Sequence, residues 1–131
     1  MIAEAISFRV AAMQGRLNRL DEGADPASIL VFGGTRPGAG SGPGVAALAT
    51  ISLTRPAGTI NPVTGELTLT QEQDGFILVT GVAAWCRVIN GEGAFCFDMD
   101  AGPEGSSAEA QFATTQLYAG GALRLVSCVL G

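Results

Sequence analysis

The side chains best equipped for chemistry are three acids in one stretch, Asp98, Asp100 and Glu104, and three cysteines, Cys86, Cys96 and Cys128. Two carboxylates ~5 to 9 Å apart are what glycoside hydrolysis uses. The same acids, with Gly102, partly spell the DxDxG opening of a calcium loop, but the third oxygen ligand and the closing bidentate glutamate are missing. Acids at the end of a strand before a Gly/Pro run read more simply as solvated turn residues, so no catalytic residue and no metal ligand is assigned. The cysteines have no CxxC spacing and the chain has no histidine, which argues against zinc, and their odd number argues against a disulfide framework. They are expected to be buried free thiols. A nucleophilic Cys86 would need an electropositive, partly exposed setting, and only Arg87 lies beside it.

Hydrolytic triads use a general base, most often histidine, and a Ser/Lys dyad needs lysine; the chain has neither residue. The glycine-rich segment 33–44, GGTRPGAGSGPG, follows an apolar run and so invites comparison with nucleotide-binding loops. A phosphate-binding P-loop needs a lysine after its last glycine. The dinucleotide pattern fails because Gly38 and Gly40 are followed by Pro43 where a third glycine should stand, and the residues beyond alternate like a strand. The segment is read as a flexible surface loop. The sequence therefore predicts neither an enzyme nor a bound cofactor.

The elements that must position these residues are mostly strands. At 131 residues the chain has the size of one domain, 1–131. Over 3–20 the apolar positions Ile6, Val10, Met13, Leu17 and Leu20 recur at spacings of four and three, the stripe of an amphipathic helix, and Gly23 is its stop. The polar face of this helix shows Arg9, Arg16 and Arg19. Strands are expected at 29–32, 47–54, 66–70, 76–90 (one or two), 94–99, 109–117 and 122–130, with an exit at Arg55, Pro56 and Gly58 and a loop after Met99. One helix with about seven or eight strands and regular turn signals predicts an all-β fold, a jelly-roll-like or β-sandwich domain over 29–130 behind an N-terminal amphipathic helix.

The longest apolar stretch, 76–99, holds the one tryptophan and two cysteines around the turn Asn90-Gly91-Glu92-Gly93, a hairpin signal. A turn of two or four residues sets Ile89 opposite Ala94 and puts Ala84, Cys86 and Val88 on a face with Phe95, Phe97 and Met99. A three-residue turn slips the pairing and sets Cys86 across from Cys96. The first register is preferred because small residues then meet large ones.

Charge narrows the partners. The net charge is -5, and all seven basic residues are arginines scattered along the chain, so direct nucleic-acid binding is not expected. No apolar run reaches the ~20 residues of a membrane span, and the N-terminus, with Glu4 and Arg9, does not read as a secretory signal. A soluble protein made in a reducing cytoplasm is expected. With 47% apolar and 15% charged residues, part of a charge-poor surface is free for protein contact.

Laid out this way, the chain resembles small structural proteins of tailed phages and prophages. The features that carry the resemblance are the helix and its Gly-containing link, the strand running into a GTRP-like turn (ILVFGGTRPGAG, 29–40), and the Trp-x-Arg strand of Trp85 and Arg87 with a turn ending at Gly93. A Thr-Thr strand at Thr114 and Thr115, the Ala119-Gly120-Gly121 turn and an alternating last strand complete them. Glu92-Gly93 stands where Asp-Gly is usual, and Cys86 and Cys96 replace larger apolar residues. The resemblance implies a virion component without catalysis, best a jelly-roll cement or decoration protein on the capsid exterior. Such a protein would bind the major capsid protein as a small homo-oligomer, a dimer or trimer, with contacts from Arg9, Arg16, Arg19, Arg36 and Arg55. A tail, neck or baseplate component and a carbohydrate-binding β-sandwich are the alternatives.

Overall fold

The computed structural model describes residues 3–131. Helix α1 spans Ile6–Leu20, and eleven strands follow: β1 Ser28–Phe32, β2 Ala49–Ile60, β3 Leu67–Gln71, β4 Gly75–Ile77, β5 Gly81–Val82, β6 Trp85–Ile89, β7 Phe95–Pro103, β8 Ala110–Phe112, β9 Gln116–Leu117, β10 Ala122–Leu123 and β11 Leu125–Leu130. The body is all-β with one helix, as the strand pattern predicts. Hydrogen-bonded neighbours run β1-β6-β7-β8-β11-β3-β2, and β1 also pairs with β2, so seven strands close into a barrel-like ring. Closure leaves those strands no unpaired edge. Outside the ring, β4 adds to β2, β10 adds to β4, and β5 pairs with β9. All pairings are antiparallel except β7 with β8.

Period-2 alternation fills the ring. Ile29 and Val31 on β1, Ala49, Ile51 and Leu53 on β2, and Leu67 and Leu69 on β3 are buried, and they meet Cys86, Val88, Met99, Phe112 and Cys128 in one core. Thr50, Thr68 and Thr70 between them face solvent. From α1 only Met13, Leu17 and Leu20 join this core. Burying each of the three is worth ~1.5 to 3 kcal/mol, without which a helix this short is marginal in water. The helix begins three residues later than expected, its N-cap Ala5 offers no side-chain cap, and Ile6 and Phe8 stay exposed; the first turn lies beyond the body that would bury its stripe.

Two boundaries differ from the sequence expectation for identifiable reasons. Strand β2 does not exit at Arg55 but runs on to Ile60. Its register against β3 shifts between Leu53 and Gly58, so Pro56, which has no N–H to give, sits where the ladder is already interrupted. Strand β7 continues through the acids to Pro103 because β8 supplies a parallel partner, pairing Ala101 with Ala110 and Pro103 with Phe112. The expected strand 109–117 is broken into β8 and β9, and 122–130 into β10 and β11.

The β6–β7 hairpin adopts neither anticipated register. Asn90 faces Ala94, donating its backbone N–H to the Ala94 carbonyl at 3.1 Å, Ile89 faces Phe95, and after an irregularity Val88 faces Phe97, Arg87 faces Asp98 and Cys86 faces Met99. Cys96 is the extra residue of the resulting bulge. The cause is Asn90, 2% exposed, whose Oδ1 accepts the N–H groups of Glu92 and Ala94, each at 3.0 Å. That side chain fixes the geometry of the turn, and the register of the two strands agrees with it. Cys86 and Val88 still share a face with Phe97 and Met99, while Phe95 leaves it.

Candidate functional site

The outward side of β6 and β7 carries the residues that the sequence made prominent. Trp85, Arg87, Asp98 and Asp100 lie there by alternation, opposite in sense to the core residues Cys86, Val88 and Met99. Outward-facing residues of a barrel are normally wet, yet Trp85 is 1% and Arg87 8% exposed. They are covered by the glycine-rich loop. Gly33 O accepts a hydrogen bond from Trp85 Nε1 at 3.2 Å, Arg36 reaches Asp100 at 3.4 Å, and Gly40 lies against Phe95, where a Cβ would make ordinary van der Waals contact with the ring at 3.5 Å. The loop read as flexible lies as a roof over this wall.

Under the roof, Phe32 stacks on Trp85 with ring centroids 4.4 Å apart, and the Arg87 guanidinium lies 5.4 Å from the Trp85 ring and 5.1 Å from the Phe95 ring. A guanidinium between two aromatic faces gains from both ring quadrupoles. Its Nε and Nη2 donate to Asp98 Oδ1 and Oδ2 at 2.8 and 3.1 Å, a bidentate pair that holds Arg87 above its ordinary pKa through that hydrogen bonding. Asp98 is thereby engaged as the counter-ion of a packed cation. Asp100 gives its backbone N–H to Glu109 Oε1 and its side chain to Arg36, and Glu104 is exposed. Among the described residues no three His, Cys, Asp or Glu side chains are placed to hold a metal ion together.

The five candidate arginines do not form one cluster. Arg16 and Arg19 line a groove of ≈ 950 Å³ between α1 and β7, together with Phe95, Cys96 and Phe97. Arg36 flanks the same Phe95–Asp98 rib from its other side. Arg9 lies 3.7 Å from Glu4 beside a small cleft that it shares with Arg16, and Arg19 is paired with Glu22. Arg55 serves the fold itself. Its Nη2 donates to the carbonyls of Gly23 and Asp25 at 2.7 and 2.6 Å, tying the helix-to-barrel link to β2. Sequence reasoning missed Arg87 as a packed cation, although its Trp-x-Arg spacing on one strand was the available signal, since i and i+2 share a face.

The cysteines are free. Burial pushes the Cys128 thiol up to about 12 and the Cys86 thiol higher still, with smaller contributions from neighbouring Glu109 and Cys128 respectively; burial also raises Cys96, which the nearby Arg19 partly offsets. A thiol that stays protonated when folded contributes stability below its unfolded pKa of ~8.5 and loses that contribution as pH climbs toward the folded value. The melting temperature is therefore expected to fall between pH 9 and pH 11 in scanning calorimetry. Alkylation at pH 8 followed by mass spectrometry should modify Cys96 well before Cys86 or Cys128; equal rates would contradict the burial order.

The aromatic supply also bears on glycan binding. The one tryptophan is buried, so it offers no stacking platform, and Tyr118 is 66% exposed on a different part of the surface. No helix among the described residues is long and apolar enough to cross a membrane. No family model, curated protein or solved structure matches this chain.

Proposed function

We propose that this chain is a structural protein of a bacteriophage virion, a cement or decoration protein that binds the outside of the shell formed by the major capsid protein and stabilises it. On this reading the closed sheet is its jelly-roll-like body, made in the host cytoplasm and assembled onto the capsid exterior. The observation that carries the proposal is the packing together of two of the segments on which the resemblance rests. The GTRP-like turn lies over the Trp-x-Arg strand, joined to it by Trp85 Nε1 to Gly33 O and to the neighbouring strand β7 by Arg36 to Asp100. Motifs more than fifty residues apart that build one packed unit are a coherent pattern, unlike chance matches.

The groove lined by Arg16 and Arg19 supplies the contact surface, with guanidinium donors and the rings of Phe95 and Phe97 in its lining, the composition of a protein interface. Many weak copies on one shell would add up through avidity. The test is co-sedimentation with purified shells that lack the protein. Saturable binding at many copies per shell is expected, together with a higher shell melting temperature. Arg16→Glu/Arg19→Glu should weaken binding ~10-fold or more, since reversing interface charge typically costs over 1.4 kcal/mol. Binding at only a few copies per particle would reassign the chain to a tail, neck or baseplate; no binding would remove the proposal.

A further inference from the structure

We propose that two copies of this chain associate face to face through an apolar ribbon built from residues 75–82 and 116–123. These segments run antiparallel along their length. Phe76 pairs with Ala122 and Gly75 with Leu123, Ile77 exchanges backbone hydrogen bonds with Gly120 and Gly121 at 2.8 and 2.9 Å, Ala119 donates to Thr80 Oγ1 at 2.9 Å, and Gly81 and Val82 pair with Leu117 and Gln116. Ile77, Leu117 and Leu123 bury the inner side of the ribbon against the barrel core. Its remaining large side chains are left in water: Phe76 is 58% exposed, Leu78 59%, Val79 42%, Val82 53% and Tyr118 66%.

Area and charge together select a second copy as the occupant. Side chains of these sizes and exposures leave roughly 600 Å² of mostly apolar surface, the upper end for a monomer, and about three-quarters of what one partner gives to a standard interface. Residues 75–86 and 110–123 contain no charged side chain, whereas the chain as a whole carries -5. Two such anions repel wherever their carboxylates meet, and this ribbon lets them approach without confronting any. The charged pair Arg124 and Asp74, 3.7 Å apart and exposed, stands at the end of the ribbon and provides the polar rim that bounds an interface core. Because β10 is the outermost strand of its sheet, the ribbon is also free of covering structure along that edge. An isologous pair puts the same apolar face on both sides and closes.

The purified full chain should sediment as a dimer, with a Kd on the order of 10 μM for an interface of this modest area. Leu78→Asp/Tyr118→Asp should leave a monomer at 200 μM with an unchanged circular-dichroism spectrum, while Tyr118→Phe should still dimerise. Should the double variant misfold, Val82→Cys in the otherwise native chain provides the alternative readout, giving intermolecular disulfides under mild oxidation that Asp25→Cys does not. A wild-type chain that stays monomeric at 200 μM, or a folded double variant that still dimerises, overturns the inference. The outcome is independent of the capsid proposal: monomers that coat shells would defeat this inference alone, and dimers that ignore shells would defeat the other alone.

Discussion

Gly91→Ala is expected to lower the melting temperature by ~10 °C or more, from a loss of about 3 kcal/mol at ~3 to 5 °C per kcal/mol for a chain of this size. A Cβ at this position would lie 1.8 Å from the Asp25 carbonyl oxygen and 2.9 Å from that of Glu22, both backbone atoms that no rotamer change can move aside. The link between α1 and β1 would have to lift away, breaking the Gly91 N–H to Glu22 O bond of 3.0 Å and loosening the carbonyls that Arg55 holds. Gly93, two residues on, provides the control. Its φ of +81° favours glycine, but a Cβ there meets nothing within 4 Å, so Gly93→Ala should cost only about 1 kcal/mol. Thermal melts of both variants check the contrast, and a Gly91→Ala protein within 3 °C of wild type would show that the link is not clamped as described.

Arg87→Met should destabilise the fold by about 3 kcal/mol in urea titrations, and adding Asp98→Leu should restore most of the loss. Methionine keeps an unbranched chain between Trp85 and Phe95 but removes the charge, leaving a carboxylate whose side chain is 5% exposed without its partner. Breaking one member of a buried pair strands the other, whereas replacing both with apolar groups removes the desolvation cost along with the attraction. The same logic predicts Asp98→Leu alone to be nearly as harmful as Arg87→Met. A double variant that loses as much stability as the two singles added together would mean that the pair acts through some contact other than its mutual hydrogen bonds.

What could be read from the sequence follows the range of the interactions concerned. The helix was legible because Met13, Leu17 and Leu20 repeat at a helical period, and β3 because Leu67 and Leu69 alternate with threonines; period reports burial directly. The hairpin was legible as a hairpin, but its register was not, since the deciding interaction is a side chain, Asn90 Oδ1, capturing two backbone N–H groups within its own turn. Segment 33–44 has no period, so composition alone suggested mobility, while its position over Trp85 depends on contacts some fifty residues away. Arg55 has a role that no local pattern shows. The sequence offers it as an interface residue because arginine is enriched at interfaces, and only the fold brings it to the carbonyls of Gly23 and Asp25. Asp98 and Asp100 read in the sequence as solvated turn residues, and the fold commits Asp98 to Arg87 and Asp100 to Arg36.

The glycine roof has one consequence for observing this molecule. Trp85 is the chain's single indole, stacked on Phe32 beneath a guanidinium and bonded to the first residue of the covering loop. Fluorescence excited at the red edge of the indole band, where tyrosine does not absorb, therefore comes from one place, and its wavelength and quenching follow the access of water to that wall. That indole emission acts as a gauge of a dozen residues that carry no chromophore of their own.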